Sequence, residues 1–195
     1  MLELARLSMQ LRRRECLIYN GTTGQIAGLA RDERSWWRRL VSRLAVPRQQ
    51  QVLTVREQLD HSLLATLHLR RLGRQVQAVL VDALDAVVGS FAWRTEQEFW
   101  VYDSNHRPAL LVLPPNPDGL RHIADWHGRP ASTLHEPAAS KATTAQPAPL
   151  LLVFHSSIAE QPLARMLVLA VGLARLTASW PAPSERRRHT DRPTR

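Results

Sequence analysis

PLARMLVLAVGLARL, residues 162–176, is the stretch that decides between a membrane anchor and a buried helix. Its uninterrupted apolar part, Met166 to Ala174, lies between Arg165 and Arg175. A bilayer core about 30 Å thick needs roughly 20 mostly apolar residues in a helix, so this segment is too short to span it. It also lacks the polar face that a helix on a protein surface would have. We therefore expect a helix that is enclosed by protein.

The chain before this helix alternates short β-rich runs with turn sequences. The runs are CLIY (16–19), QVLTV (51–55), LLATLHL (63–69), VQAVLV (76–81), EFWVY (98–102), ALLVL (109–113) and LLLVF (150–154). Between them lie clusters rich in Asn, Gly, Asp and Pro, the residues that tight turns favour. The sequence therefore predicts a mainly β protein.

A weak internal repeat links the turns. Each unit begins with a turn residue, usually acidic, has Gly, Asp or His three positions later, and then continues with apolar residues. The units start at Gly21, Glu57, Asp82, Asp103 and Asp125, and the last four lie 25, 21 and 22 residues apart. This spacing matches a pair of strands with their connections, and it predicts an up-and-down series of antiparallel hairpins.

Length and composition bound the organisation of the chain. Its 195 residues suit one domain, which we place at 1–180, with a flexible loop at 136–149 and a disordered basic tail at 181–195. A net charge of +9 attracts polyanions without identifying them. The chain has one cysteine, Cys16, and its first residues do not have the layout of a signal peptide, so we expect a cytoplasmic protein.

The order of these hairpins, followed by one strand and one apolar helix, resembles the tubby-like C-terminal fold that phospholipid scramblases and LURP-one-related proteins share. The resemblance covers about residues 15–178, and the segments that carry it are LIYNGTTGQIAG (17–28), VLVDALDAVVGSF (79–91), FWVYDSNHRPALL (99–111) and LLVFHSSIAEQPLARMLVLAVGLARL (151–176). It implies a closed antiparallel barrel of about twelve strands around a central C-terminal hydrophobic helix. The residues of that central helix would be Leu163, Met166, Leu167, Leu169, Ala170, Val171 and Leu173.

The sequence also departs from the scramblase pattern. Scramblases carry a proposed calcium-binding acidic segment before the helix, whereas HSSIAEQ (155–161) has one carboxylate, Glu160. Calcium binding needs several oxygen ligands close together, so we expect no calcium and no other cofactor. In scramblases the helix has been argued to insert into the membrane, and that alternative stays open.

The segment RSWWRRLVSRL (34–44) is the strongest candidate for a binding site. Indole rings favour the membrane interface and guanidinium groups bind phosphate. The candidate lipid head-group residues are therefore Arg34, Trp36, Trp37, Arg38, Arg39 and Arg43. The other interpretation is that Trp37, Leu40, Val41 and Leu44 plug one end of the barrel while the arginines are solvated.

Motifs for catalysis are missing from the sequence. It has neither a GxSxG elbow nor a phosphate-binding glycine loop, and His122, His127 and His135 do not match a standard zinc spacing. We therefore predict no enzyme, no metal and no small-molecule substrate. The expected function is peripheral binding to anionic phospholipid membrane surfaces. The alternative is a nucleic-acid-binding or protein-interaction module that uses the arginine-rich surface.

Overall fold

A computed structural model of the protein describes residues 1–12, 15–32, 50–72, 75–94, 98–136 and 149–178. These ranges form twelve β-strands, one short 3₁₀ helix and one α-helix. The strands are β1 (Arg6–Arg12), β2 (Glu15–Asn20), β3 (Ile26–Asp32), β4 (Gln50–Glu57), β5 (Leu63–Leu72), β6 (Gln75–Asp82), β7 (Val87–Arg94), β8 (Phe99–Asp103), β9 (Pro108–Val112), β10 (Leu120–Asp125), β11 (Pro130–His135) and β12 (Leu150–Phe154). The helices are η1 (Ser156–Ile158) and α1 (Pro162–Ala178).

The strands form a closed antiparallel barrel in which each strand pairs with its neighbours in sequence. The barrel closes where β1 pairs with β12, with Arg6 opposite Val153 and Met9 opposite Leu150. Closure leaves none of these twelve strands with an edge that another chain could pair with. The predicted mainly β fold, a closed antiparallel barrel of about twelve strands with a C-terminal helix, is confirmed.

Side chains along the strands alternate between the barrel interior and the surface, because successive Cβ atoms point to opposite faces of a sheet. In β8, Phe99 and Val101 are buried, whereas Trp100 and Tyr102 are exposed. This alternation is the reason that runs such as EFWVY could be recognised as strands from the sequence.

The helix α1 occupies the interior of the barrel. Every residue from Met166 to Ala174 is buried, as are Leu176 and Thr177. With 17 residues at 1.5 Å each, α1 is about 25 Å long. The apolar stretch that opened the sequence analysis therefore packs inside the protein. Leu163 is the exception among the predicted central residues: its side chain is 60% exposed, because it lies in the first turn of α1, outside the strands.

Two glycines let the helix and the barrel wall approach each other closely. A Cβ atom on Gly172 of α1 would lie 2.5 Å from Cε of Met9 in β1. A Cβ atom on Gly89 of β7 would lie 2.7 Å from Cδ2 of Leu167 and 2.3 Å from the carbonyl oxygen of Tyr102. Any side chain at Gly89 would therefore collide with both the helix and the neighbouring strand.

We name the two ends of the barrel by the direction of α1. The front end, where α1 begins, comprises residues 1–6, 20–26, 56–63, 82–87, 103–108, 125–130 and 154–165. The back end, where α1 ends, comprises the opposite ends of the strands and the turn at 113–119.

Several front-end turns share one geometry. In the turn between β6 and β7, Oδ1 of Asp82 accepts hydrogen bonds from the N–H groups two and four residues further on, at 2.8 and 2.9 Å. Asp85, three positions after Asp82, has a φ of +61°. The same bonds and a positive φ at the third position recur in the turns that begin at Asp103 and Asp125. The weak repeat in the sequence therefore corresponds to a recurring turn in which an aspartate binds the backbone.

Three predictions fall outside the described residues. They concern the basic segment 34–44, all but the edges of the loop 136–149, and the tail 181–195. The division of the chain into a domain at 1–180 and a tail stays a prediction.

Candidate functional site

Three charged side chains form a cluster at the back end, which we call the back-end cluster: Arg121, Glu136 and Arg175. Arg175 of α1 donates two hydrogen bonds to Glu136, from Nε to Oε1 at 2.8 Å and from Nη2 to Oε2 at 3.0 Å. Arg121 of β10 is fully buried, and its Nε lies 3.4 Å from the same Oε1 atom. Its Nη1 donates to the carbonyl oxygen of Leu113 at 2.8 Å. The cluster therefore ties the end of α1 to β10 and to the residue after β11.

The charges of this cluster determine the protonation of Glu136. Burial by itself would raise the pKa of this carboxyl group, but the hydrogen bonds and positive charges of Arg175 and Arg121 outweigh it. The pKa of Glu136 therefore lies below its ordinary value, and the group is ionised at neutral pH. Because a bidentate pair of this kind fixes both position and orientation, the cluster holds α1 in the barrel.

A different arrangement holds α1 at the front end. Arg165 is buried and donates from Nη1 to the carbonyl oxygen of Leu2 and from Nη2 to that of Leu4, the second at 3.3 Å. Its guanidinium carbon lies 4.7 Å from the centroid of the Phe154 ring, within the range of a cation–π contact. The start of α1 is therefore anchored to the first residues of the chain and to the end of β12.

The predicted head-group residues Arg34, Trp36, Trp37, Arg38, Arg39 and Arg43 belong to residues 33–49, which lie outside the described residues. The structure describes the residues on either side of this segment. Asp32 ends β3 and Gln50 begins β4, and both of these strand ends are at the back end of the barrel. Both interpretations of the segment, membrane contact and barrel plug, remain predictions.

Large apolar side chains are exposed at the front end, a feature that the sequence analysis missed. The exposed fraction is 98% for Leu59, 88% for Leu84, 61% for Trp126 and 60% for Leu163. We call these four residues the apolar tips, since three of them lie in hairpin turns and the fourth in the first turn of α1. The signal in the sequence was a large apolar residue within the turns EQLDH, DALD and DWHG, where polar residues are usual.

Charge is distributed unevenly between the front end and the rest of the chain. Eight of the 17 acidic side chains lie in the front-end ranges: Glu3, Glu57, Asp60, Asp82, Asp85, Asp103, Asp125 and Glu160. Five of the 26 basic side chains lie there: Arg6, Arg56, Arg107, Arg129 and Arg165. This leaves 21 basic and nine acidic side chains for all other residues. The net charge of +9 therefore comes entirely from outside the front end.

The segment 155–161, for which the sequence predicts no calcium site, forms η1 and the approach to α1. Its hydroxyl and amide groups bond to the backbone: Ser157 donates to the carbonyl oxygen of Pro130, and Gln161 Nε2 donates to that of Ser157 at 3.0 Å. Within the described ranges, no three His, Cys, Asp or Glu residues are grouped so that they could hold a metal ion. The described part of the chain also has no helix with the length and apolar character needed to cross a bilayer.

The described residues define the fold class as a closed twelve-stranded antiparallel barrel with an α-helix in its interior. A similar fold is found in the crystal structure of the Arabidopsis thaliana protein AT5G01750, with a TM-score of 0.53 and 10% sequence identity. The similarity covers 86% of this chain and 90% of that chain, and at this identity it shows the fold alone. No protein-family model matches the chain. No curated protein matches its sequence either.

Proposed function

We propose that this protein is a non-enzymatic, cytoplasmic barrel protein of the scramblase and LURP-one-related kind, and that it binds anionic phospholipid membrane surfaces peripherally. The observation that supports this proposal most directly is the charge distribution. The front end has more acidic than basic side chains, so the basic excess belongs to the rest of the chain. A negatively charged membrane attracts the basic remainder of the chain and repels the acidic front end.

The arginine-rich segment 34–44 is the proposed contact. Arg34, Arg38, Arg39 and Arg43 bind lipid phosphate, which guanidinium groups can contact with two hydrogen bonds at once. Trp36 and Trp37 insert at the depth of the head groups, where indole rings are favoured. Because Asp32 and Gln50 are at the back end, the segment begins and ends on the side away from the acidic front end.

Two features of the described residues support a role without catalysis. The helix α1 occupies the barrel interior, which in other barrels is a place for a ligand. Burial raises the pKa of the Cys16 thiol to about 12, so this cysteine stays a neutral thiol instead of becoming a nucleophile. A function on the outer surface fits such a molecule better than a function inside the barrel.

Vesicle co-sedimentation across a salt series tests the proposal. We expect the protein to bind vesicles that contain phosphatidylserine more tightly than pure phosphatidylcholine vesicles at low salt, and this preference to fall as salt rises. The double variant Arg38→Gln/Arg39→Gln should bind the anionic vesicles roughly tenfold to thirtyfold more weakly, since each basic residue near the surface contributes about 1 kcal/mol.

The matched control removes two exposed front-end arginines in the variant Arg6→Gln/Arg107→Gln. It loses the same charge and should keep its preference for anionic vesicles. Equal binding to anionic and neutral vesicles at low salt would contradict the proposal. Salt-sensitive gel shifts with nucleic acid, together with no preference for anionic vesicles, would instead support the nucleic-acid alternative.

A further inference from the structure

The apolar tips are the feature of the described surface that the proposed function leaves unexplained. Leu59 lies in the β4–β5 turn and Leu84 in the β6–β7 turn, which are neighbours because β5 pairs with β6. Trp126 lies in the β10–β11 turn, and Leu163 follows β12, which pairs with β11. The tips are therefore distributed around the front end and not confined to one side of the barrel.

In two of the turns that carry the tips, a backbone N–H group is bonded to a carboxylate of the same turn. The N–H of Leu84 itself donates to Oδ1 of Asp82 at 2.8 Å. In the neighbouring turn, the N–H of Ser62 donates to Oδ1 of Asp60 at 2.9 Å. A turn that enters a membrane interface without such bonds would have to desolvate free N–H groups at a cost. The N–H groups that are bonded in this way therefore do not add to the cost of moving these turns out of bulk water.

The separation of the tips favours a bilayer over a protein as the partner. Acidic residues stand next to three of the four tips in the sequence, for example Asp60 next to Leu59 and Asp85 next to Leu84. A protein interface needs a continuous, well-packed apolar centre. A bilayer accepts separate apolar side chains at a common depth, and turns at one end of a barrel provide that arrangement.

The charge of the front end selects the type of lipid. The side chains of Glu3, Asp60, Asp85 and Glu160 are exposed carboxylates, and a head group with a net negative charge would repel them. A choline head group presents a quaternary ammonium ion, which carboxylates attract and which binds over aromatic faces such as that of Trp126. We propose that the front end inserts its apolar tips shallowly into zwitterionic, choline-headed bilayers, as a second membrane contact that is independent of the arginine-rich segment.

Binding to pure phosphatidylcholine vesicles tests this inference. The wild-type protein should co-sediment with them to an extent that changes little with salt, and Leu59→Ser or Leu84→Ser should each weaken binding by roughly tenfold. Brominated phosphatidylcholine should quench tryptophan fluorescence, and Trp126→Ser should remove most of that quenching. Both leucines are almost fully exposed, so these variants should unfold at the wild-type temperature.

Trp100→Ser and Val79→Ser are the matched controls, because these side chains are exposed on the barrel wall outside the front end. They should bind phosphatidylcholine vesicles as the wild type does. No binding to phosphatidylcholine, or equal losses in tip and wall variants, would overturn the inference.

Sedimentation velocity without vesicles tests the remaining alternative, which is self-association. Self-association that is lost in Leu59→Ser/Leu84→Ser would assign the tips to a contact with a second copy and overturn the inference. The variant Arg38→Gln/Arg39→Gln should not change binding to phosphatidylcholine, so this inference and the proposed function can fail separately.

Discussion

The two ends of the barrel both contain buried arginine side chains, but the groups that hold these arginines differ. At the back end, Arg121 and Arg175 share the carboxylate of Glu136, so that charged groups are paired in a tightly packed region. At the front end, Arg165 is held by backbone carbonyl groups and a ring, while exposed carboxylates and apolar tips face outward. The charged groups of the back-end cluster are therefore paired within the protein, whereas the front end leaves carboxylates and apolar side chains exposed to solvent. Substitutions of the same kind at the two ends should consequently have different costs.

The helix offers the largest contrast, because it runs from the open front end into the packed interior. Leu169 is buried within the barrel, and Leu169→Asp would bring a carboxylate there without a partner. We expect it to lower the free energy of unfolding by at least about 4 kcal/mol or to prevent folding. Leu163→Asp, in the exposed first turn of the same helix, should change it by less than about 0.5 kcal/mol. Urea denaturation measures both, and similar losses would show that α1 is not enclosed in solution.

The sequence predicted the helix in the barrel interior better than it predicted the two ends of the barrel. The nine apolar residues between Arg165 and Arg175 sufficed to place a buried helix, since neither a bilayer nor a surface position suited them. The strand β1 was missed: RLSMQLR stands next to an arginine cluster, and its pairing with β12 joins residues far apart in the sequence. Leu163 was grouped with the buried residues because the sequence of the helix does not show how far the barrel wall extends along it.

The back-end cluster could not be predicted from local sequence patterns. Arginine is usually a surface residue, yet Arg121 is fully buried, and Glu136 and the carbonyl group of Leu113 contact its guanidinium group there. Arg175, its other neighbour in the cluster, lies more than fifty positions away in the sequence. The apolar tips were visible as Leu59, Leu84 and Trp126 within turns, but placing these turns at one end requires the full strand order, because successive turns alternate between the two ends.

Removal of one carboxylate at each end is the next test of the comparison. Glu136→Gln leaves Arg121 and Arg175 without this negative charge, and loss of one partner from a largely buried pair is costly. We expect the free energy of unfolding to fall by about 3 kcal/mol at neutral pH. Glu160→Gln, at an exposed front-end position, should change it by less than about 0.5 kcal/mol.

The pH dependence of this loss identifies its cause. Because the pKa of Glu136 is lowered in the folded protein, its stabilising effect is complete above the ordinary value of 4.5 and is lost as the pH falls through the folded-state pKa. The difference between the wild type and Glu136→Gln should therefore be greatest at neutral pH and shrink below about pH 4.5. A difference that stays constant down to low pH would mean that packing, and not charge, accounts for the role of Glu136.

The smallest expected difference in unfolding free energy between the two ends comes from replacing a turn glycine with alanine, once at each end of the barrel. Gly119 at the back end and Gly128 at the front end have φ values of +78° and +81°, so alanine costs about 1 kcal/mol at either position. A Cβ atom on Gly128 would meet nothing within 4 Å, whereas one on Gly119 would lie 2.7 Å from the carbonyl oxygen of Glu136. Gly119→Ala must therefore also displace the residue that carries the back-end carboxylate, and its total cost should be about 2 kcal/mol. Urea denaturation of the two variants resolves this difference, and equal costs would mean that the back end can yield to a methyl group as easily as the open front end does.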